Sequence, residues 1–154
     1  MGRGQKLDDL DIAILRELQK DCRIPLQDIA AKVNSPTSTV HYRVKRLERD
    51  GVIDGYYAHI NPEKVNMDYI TIIKVMAAYG PKYYERIGND LKKIPGVWAV
   101  YYSLGEQDFF VLTRSKDRAA FMDSLDKVMS TKGVERTATQ VIAKVVQEDP
   151  RLQI

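Results

Sequence analysis

The chain has 154 residues, 44% of them hydrophobic, which is enough for two small globular domains or one of ordinary size. No apolar run is long enough to cross a membrane, and the basic tail at residues 1–6 is not followed by a secretory signal pattern. A lone cysteine, Cys22, cannot form an internal disulfide, so we expect a cytoplasmic protein. The net charge of +3 is too small to indicate nucleic-acid binding by itself, so only local clusters of charge can argue for it.

The first sixty residues predict three helices followed by a hairpin. Hydrophobic periodicity indicates a first helix over 7–21 and a short second helix that ends before Pro36. We predict that Ser35 caps the third helix, that Pro36 is its first residue and that Gly51 ends it. The alternating, Tyr-rich run 52–60 predicts a wing. This layout is that of a winged helix-turn-helix.

The predicted third helix has an outward face that suits DNA. Its apolar residues repeat at i, i+4 and i+7, which turns the other side of the helix to solvent. That outward side carries hydroxyl, aromatic and cationic groups, namely Thr37, Ser38, Thr39, His41, Tyr42, Lys45, Arg46 and Arg49. Hydroxyls near a helix start can reach base edges, and Lys or Arg further along can hold phosphates. An ordinary solvated face is the alternative, but the turn, cap and wing together favour binding of double-stranded DNA.

The rest of the chain predicts a second domain, which gives an α+β protein. Pro62 and the polar residues around it predict a linker over 61–68 that joins a first domain, 1–60, to a second domain, 69–154. The second domain reads as strand, helix, strand, strand, helix and strand, at 69–78, 81–94, 97–103, 108–114, 117–129 and 134–147. This βαββαβ order is ferredoxin-like, with both helices on one face of the sheet. The open face is apolar, so we expect a second copy of the chain to cover it in a homodimer.

Several short segments carry a resemblance to a known family. They include Leu7-Asp8-Asp9-Leu10-Asp11, Ser38-Thr39-Val40, Arg43-Val44-Lys45-Arg46-Leu47-Glu48 and Gly51-Val52-Ile53-Asp54-Gly55-Tyr56. With these segments the sequence resembles the Lrp/AsnC (leucine-responsive / asparagine-operon, or feast/famine) transcription regulators over nearly its whole length. One departure is Pro36, because the family usually has Ser at the start of the recognition helix. The resemblance implies a sequence-specific DNA-binding regulator that forms dimers and assembles further, to an octamer or a larger oligomer.

The resemblance also implies an effector site in the second domain. The family typically has a Gly and an Asp three positions apart between the second and third strands, and Gly105 and Asp108 match them. Gly105 would allow a positive φ, and Asp108 would accept hydrogen bonds from a ligand ammonium group. The family places hydroxyl residues at the start of the last strand, where this chain has Thr137 and Thr139. Gln107 is a candidate for selecting the effector.

The implied effector is a free L-amino acid, and similarity to members that sense polar amino acids makes glutamine a candidate. We expect no cofactor and no metal, because His41, His59 and Cys22 are too few and too scattered for a metal site. The sequence has no catalytic constellation, so it predicts a protein that is not an enzyme. Two alternatives stay open: an architectural protein that wraps DNA without an effector, and an enzyme or enzyme-regulatory subunit that uses a small-molecule-binding ferredoxin-like domain.

Overall fold

The computed structural model describes residues 6–154, so most of the predicted basic tail lies outside the described range. The chain divides into two compact units. The first comprises the residues up to His59 together with Asp149–Ile154, and the second comprises Ile60–Glu148. The last six residues therefore group with the first unit, whereas the sequence predicted a second domain that runs to the C-terminus. No helix among residues 6–154 is long and apolar enough to cross a membrane.

Three helices form most of the first unit: α1 (Asp9–Lys20), α2 (Leu26–Lys32) and α3 (Thr37–Arg49). The α1 helix begins with a reciprocal capping box. The Asp8 carboxylate accepts from the backbone N–H of Asp11, and the Asp11 carboxylate accepts from the backbone N–H of Asp8. The buried core between the helices is apolar and consists of Ile14, Leu18, Ile29, Ala30, Val40 and Val44. These positions follow the helical periodicity of the sequence, so the predicted helices are confirmed.

The turn between α2 and α3 differs from the prediction. Asn34 has a positive φ of 49°, and the backbone N–H of Ser35 donates to the Ala30 carbonyl, so both residues close the end of α2. Pro36 stands at the N-cap of α3 with a ψ of 141°, and no side chain caps this helix. The prediction that Ser35 is the cap and Pro36 the first helical residue is therefore wrong. The proline ring fixes φ but leaves ψ free to be extended.

The predicted wing hairpin does not form. Residues 54–60 have neither helix nor strand structure, and among the described residues the first strand begins at Tyr69. A strand needs a partner for its ladder of hydrogen bonds, and the local pattern in 52–60 could not reveal that the partner was missing. The end of α3 is as predicted, since Gly51 has a positive φ of 69° and the Val52 N–H donates to the Leu47 carbonyl.

The second unit has the predicted ferredoxin-like topology. Its elements follow a 3₁₀ turn, Glu63–Val65, and are β1 (Tyr69–Ala77), α4 (Tyr83–Leu91), β2 (Val97–Tyr102), β3 (Phe109–Ser115), α5 (Arg118–Met129) and β4 (Val134–Val141). The four strands form one antiparallel sheet in the order β2-β3-β1-β4. Strands β1 and β3 alternate between buried and half-buried positions, which places one face of the sheet against the helices.

Tyr83 of α4 is buried, whereas Tyr84 is exposed at the surface. One boundary in the second unit corrects the prediction. Strand β4 ends at Val141, although the sequence predicted a strand as far as residue 147. Val141 pairs with Thr71, close to the start of β1, so β1 offers almost no further partner for a longer strand.

The last residues of the chain attach to α1. The Gln19 side-chain amide donates to the Leu152 carbonyl at 3.1 Å, and its oxygen accepts from the Leu152 N–H at 2.7 Å. Arg16 also donates to the carbonyl oxygen of Ile154. These contacts explain why Asp149–Ile154 belongs to the first unit.

Candidate DNA-binding face and effector site

The outward face of α3 is exposed as predicted. Thr37, Ser38, His41, Tyr42, Lys45 and Arg49 are exposed, whereas Thr39 and Arg46 are half-buried. Tyr42 is 62% exposed, so its ring and its hydroxyl are available to a binding partner. Val40, Val44 and Leu47 face the opposite way and are buried. The helix therefore presents a continuous polar, aromatic and cationic surface on a rigid element.

Two arginines of α3 point inward and bind α1. Arg43 donates to Asp8 at 2.5 Å and to Asp11 at 3.0 Å, and Arg46 donates to the other oxygen of Asp11 at 2.5 Å. The Asp11 carboxylate is almost fully buried, and these contacts satisfy it. Hydrogen bonds to Asp8 and then Asp11 raise the pKa of Arg43. Arg46 was predicted to face DNA, but in the free protein it fixes α3 against α1.

The role of Asp11 in the first unit was not predicted. Asp11, Ile14 and Leu18 are all buried and lie three and four positions apart, so they share one face of α1. An acid at a core position of a helix requires a cationic or hydrogen-bonding partner. That signal was present in the sequence, although the partners on α3 could not be read from it.

Two further cations of α3 remain at the surface and each contacts an acid. The Lys45 ammonium donates to Oε2 of Glu48 at 3.0 Å, and Arg49 donates to the Asp50 carboxylate at 2.8 Å. Both cationic side chains are more than half exposed, so phosphate groups can reach them. Surface ion pairs of this kind are weak and exchange readily with other anions.

The predicted effector residue Asp108 is buried and already bonded within the chain. Its Oδ2 accepts from the backbone N–H of Ala77 at 2.8 Å, and its Oδ1 accepts from the Tyr83 hydroxyl at 3.0 Å. The Tyr83 oxygen in turn lies 3.1 Å from the Tyr102 hydroxyl, and this bond, burial and Asp108 together raise the pKa of Tyr83. Asp108 thus ties β3, β1 and α4 together. A carboxylate accepts about four hydrogen bonds, so capacity for a ligand remains.

The turn that carries Gly105 and Gln107 is open to solvent. Gly105 lies outside the left-handed region, so it does not use the positive φ that a glycine allows. A Cβ added there would meet only the Ser103 Oγ, at an ordinary 3.8 Å. The chain itself therefore does not demand a glycine at this position. Gln107 is half-buried beside Asp108, while Leu104 is almost fully exposed.

The predicted threonines lie on the far side of β1 from Asp108. Val75 of β1 pairs with Phe109 on one side and with Thr137 on the other, so Asp108 and Thr137 end up at the same end of the sheet. They are separated by two strand spacings, about 10 Å. Thr139 pairs with Ile73 and lies one pleat further along the edge strand. Asp108 and Thr137 therefore lie at one end of the sheet, on either side of β1, and Thr139 lies two residues further along β4.

The open face of the sheet is rich in apolar side chains. It carries Ile70, Ile72 and Met76 from β1, Phe110 and Leu112 from β3, and Tyr101 from β2. Trp98 at the edge is half exposed, and the Arg114 guanidinium lies 5.9 Å above its ring. Among residues 6–154 no group of three or more histidine, cysteine or acidic side chains could hold a metal ion.

Each of the two units matches a known protein family. Residues 7–54 match the winged helix-turn-helix DNA-binding family, and residues 70–152 match the Lrp/AsnC ligand binding domain family. The chain is 35% identical over 148 residues to the HTH-type transcriptional regulator FL11 of Pyrococcus furiosus, covering 96% of this chain and 97% of that protein. It is 32% identical over 154 residues to the leucine-responsive regulatory protein of Escherichia coli, covering 98% and 93%.

A solved structure extends the comparison. The feast or famine regulatory protein from M. tuberculosis, complexed with L-methionine, matches with a TM-score of 0.85 and 31% identity, covering 96% of this chain and 99% of that one. The fold and these matches define a DNA-binding transcriptional regulator with a ligand-binding domain. The chain belongs to the Lrp/AsnC family. Its named relatives are regulators, which confirms the prediction that the protein is not an enzyme.

Proposed function

We propose that this protein binds specific DNA sequences through the outward face of α3 and changes its DNA affinity when it binds a free L-amino acid. The observation that carries the proposal is the exposed row of Ser38, Tyr42 and Lys45 on a helix whose two inward arginines fix it against α1. A rigid helix with base-reaching groups near its start and cations further along suits readout in a major groove.

The effector belongs to the second unit in this proposal. The M. tuberculosis relative is described in complex with L-methionine, which supports an amino acid as the class of ligand. Gly105, Gln107, Asp108, Thr137 and Thr139 are the residues that we propose to line the site. Glutamine is one candidate effector, because a polar side chain would suit Gln107 and the threonines. Asp108 has spare acceptor capacity for the ammonium group of such a ligand.

A homodimer formed through the open sheet face is the third part of the proposal. Half-buried isoleucine, methionine, leucine and phenylalanine side chains occupy that face in a single chain, and a second copy would remove them from water. Dimers would then assemble to octamers or larger species. A dimer would also present two copies of α3 to successive turns of DNA, so the binding sites should be roughly palindromic.

The experiment that tests this function is a calorimetric titration of the purified protein with each of the common amino acids. Light scattering follows the size of the assembly in the same samples. A saturable signal for one or a few amino acids, with a change in size, is the expected result. If no amino acid gives a heat signal, the proposed response to an effector is contradicted. An architectural protein that binds DNA without an effector would then be favoured.

A further inference from the structure

Glu48 is the one acidic residue in the sequence of α3, and it contacts a cation on the proposed DNA-binding face. Its Oε2 accepts from the Lys45 ammonium at 3.0 Å, and its Oε1 accepts from the Tyr56 hydroxyl at 3.0 Å. The Lys45 side chain is 63% exposed and that of Glu48 is 30% exposed. The Glu48 carboxylate therefore lies at the surface, between the recognition helix and the segment that follows it.

Both partners keep the Glu48 side chain charged and in place. Hydrogen bonds from Lys45 and then from Tyr56 lower its pKa, and His41 adds a weaker attraction. Burial and then the bond to Glu48 raise the pKa of Tyr56 to about 12, so its hydroxyl stays a donor at neutral pH. Tyr56 therefore holds one carboxylate oxygen while the other oxygen faces Lys45.

The acids that pair with the other cations of α3 lie outside the helix. Arg43 and Arg46 bind Asp8 and Asp11 of α1, and Arg49 contacts Asp50 beyond the last turn. A phosphate that binds Lys45 has to compete with a carboxylate one helical turn away. The same carboxylate would also repel the phosphates of a bound duplex.

We propose that Glu48 is a positioning residue that restrains the Lys45 ammonium and thereby weakens binding to DNA of arbitrary sequence. The inference rests on the proposed use of this face of α3 for DNA binding. Binding to arbitrary DNA depends mainly on neutralising phosphates, so a competing carboxylate acts on it directly. Tyr56 supports the effect because its hydrogen bond keeps the carboxylate beside α3.

The test compares the affinities of variants for a fluorescent duplex of scrambled sequence, measured by anisotropy at low and at moderate salt. Glu48→Gln removes the charge and keeps the size of the side chain. We expect it to raise affinity about threefold to tenfold at low salt, and the gain should shrink as salt screens the charge. In a Lys45→Ala background, Glu48→Gln should raise the affinity about twofold or less, because the ammonium group that Glu48 restrains is gone.

Two further variants sharpen the comparison. Asp90→Asn is the control, because Asp90 also forms an i,i+3 ion pair with a lysine, Lys93, but in the second unit, and it should leave the affinity unchanged. Tyr56→Phe leaves the sequence of α3 intact and removes only the hydroxyl that holds Glu48. Tyr56→Phe should also raise the affinity, but by a smaller factor than Glu48→Gln.

The outcomes separate this inference from the proposed function. The inference is overturned if Glu48→Gln leaves the affinity unchanged. It is also overturned if Glu48→Gln raises the affinity by the same factor with and without Lys45. The DNA-binding face is then still supported, provided that Lys45→Ala alone weakens binding. If the wild-type protein does not bind the duplex at low salt, the proposed function fails together with the inference. Equal gains in Glu48→Gln and Asp90→Asn would show an effect of net charge alone and would also overturn it.

Discussion

The Arg46 guanidinium donates to Oδ2 of Asp11 at 2.5 Å, although the two residues lie 35 positions apart in the chain. The Asp11 side chain is only 1% exposed, and Arg43 binds its other oxygen. A buried carboxylate with two cationic partners holds two helices in one arrangement, because any other arrangement leaves a charge without a partner. This contact joins α1 to α3, so the surface that α3 presents depends on a buried residue of another helix.

Asp11→Asn is expected to destabilise the first unit. The amide keeps the size of the side chain but leaves Arg46 without its carboxylate partner and Arg43 with Asp8 alone, at a loss of about 2–4 kcal/mol in the free energy of unfolding. Urea denaturation followed by circular dichroism measures it. Asp9→Asn is the matched control, since Asp9 is exposed in the same helical turn and should change the stability by about 0.5 kcal/mol or less. Equal effects of the two substitutions would show that the buried contact contributes little.

Much of the first unit could be predicted from the sequence, because its core follows helical periodicity. Val40, Val44 and Leu47 recur at helical spacing, and they are buried as that spacing requires. The partner of Arg46 could not be predicted, since the spacing along α3 does not reveal which residue of α1 it meets. The unit matches the winged helix-turn-helix family, but the hairpin predicted over 52–60 does not form, because a run of β-forming residues does not reveal where its partner strand lies.

Lys45→Ala and Tyr42→Ala are expected to weaken DNA binding in different ways. Lys45 contributes charge, so its loss should weaken binding to all sequences and reduce the salt dependence by about one phosphate contact. Tyr42 lies closer to the start of α3, and its loss should weaken binding to a selected operator by about 1–3 kcal/mol while affecting scrambled DNA less. Operators selected from a random pool and anisotropy titrations provide the measurement.

The control for these variants is Lys93→Ala, which removes an exposed lysine of the second unit that is paired with Asp90. It should leave affinity for both kinds of DNA close to that of the wild type. Operator affinity that is unchanged in both Lys45→Ala and Tyr42→Ala would exclude this face of α3 as the reader of DNA.

Acid should destabilise the protein partly through Asp8. The backbone N–H of Asp11 and then the Arg43 guanidinium lower the pKa of Asp8 below its ordinary value of 3.8. Below that ordinary value the unfolded chain binds more protons than the folded one, so this contribution to stability is complete above about pH 4 and is lost as the pH falls further. Unfolding midpoints measured from about pH 6 to about pH 2 should therefore fall less steeply for Asp8→Asn than for the wild type.

Asparagine is the appropriate substitution because its side-chain oxygen can still cap α1. The remaining difference from the wild type then reflects the charge and its contact with Arg43. If the unfolding midpoints of the two proteins fall equally steeply with decreasing pH, these contacts do not hold Asp8 in its charged form.

Asp108→Ala is expected to affect stability as well as effector binding. It leaves the Ala77 N–H and the Tyr83 hydroxyl without their acceptor, at a loss of about 1–3 kcal/mol in the second unit. Tyr83→Phe is the paired variant, because it removes one of these hydrogen bonds and keeps the carboxylate. Thermal unfolding and amino-acid titration of both proteins separate the two roles of Asp108. A full amino-acid response in Asp108→Ala would exclude the proposed ammonium contact.

The topology of the second unit could be predicted from the sequence, whereas the detailed structure of its proposed effector site could not. The order of the elements predicted the ferredoxin-like arrangement, and the structure confirms it. The conformation of Gly105 and the bond between Asp108 and Tyr83 could not be predicted, since both depend on how the β2–β3 turn meets α4. The end of β4 was placed too far along because its length is set by β1, which offers almost no partner beyond Thr71.

In the proposed function, the second unit controls the DNA affinity of the first. The most direct test measures affinity for a selected operator with and without a saturating concentration of the amino acid found by calorimetry. We predict a change of about fivefold or more, typical of coupling between two sites, and its loss in Asp108→Ala at a temperature where that variant is folded. An operator affinity that is the same with and without the bound amino acid would contradict the claim.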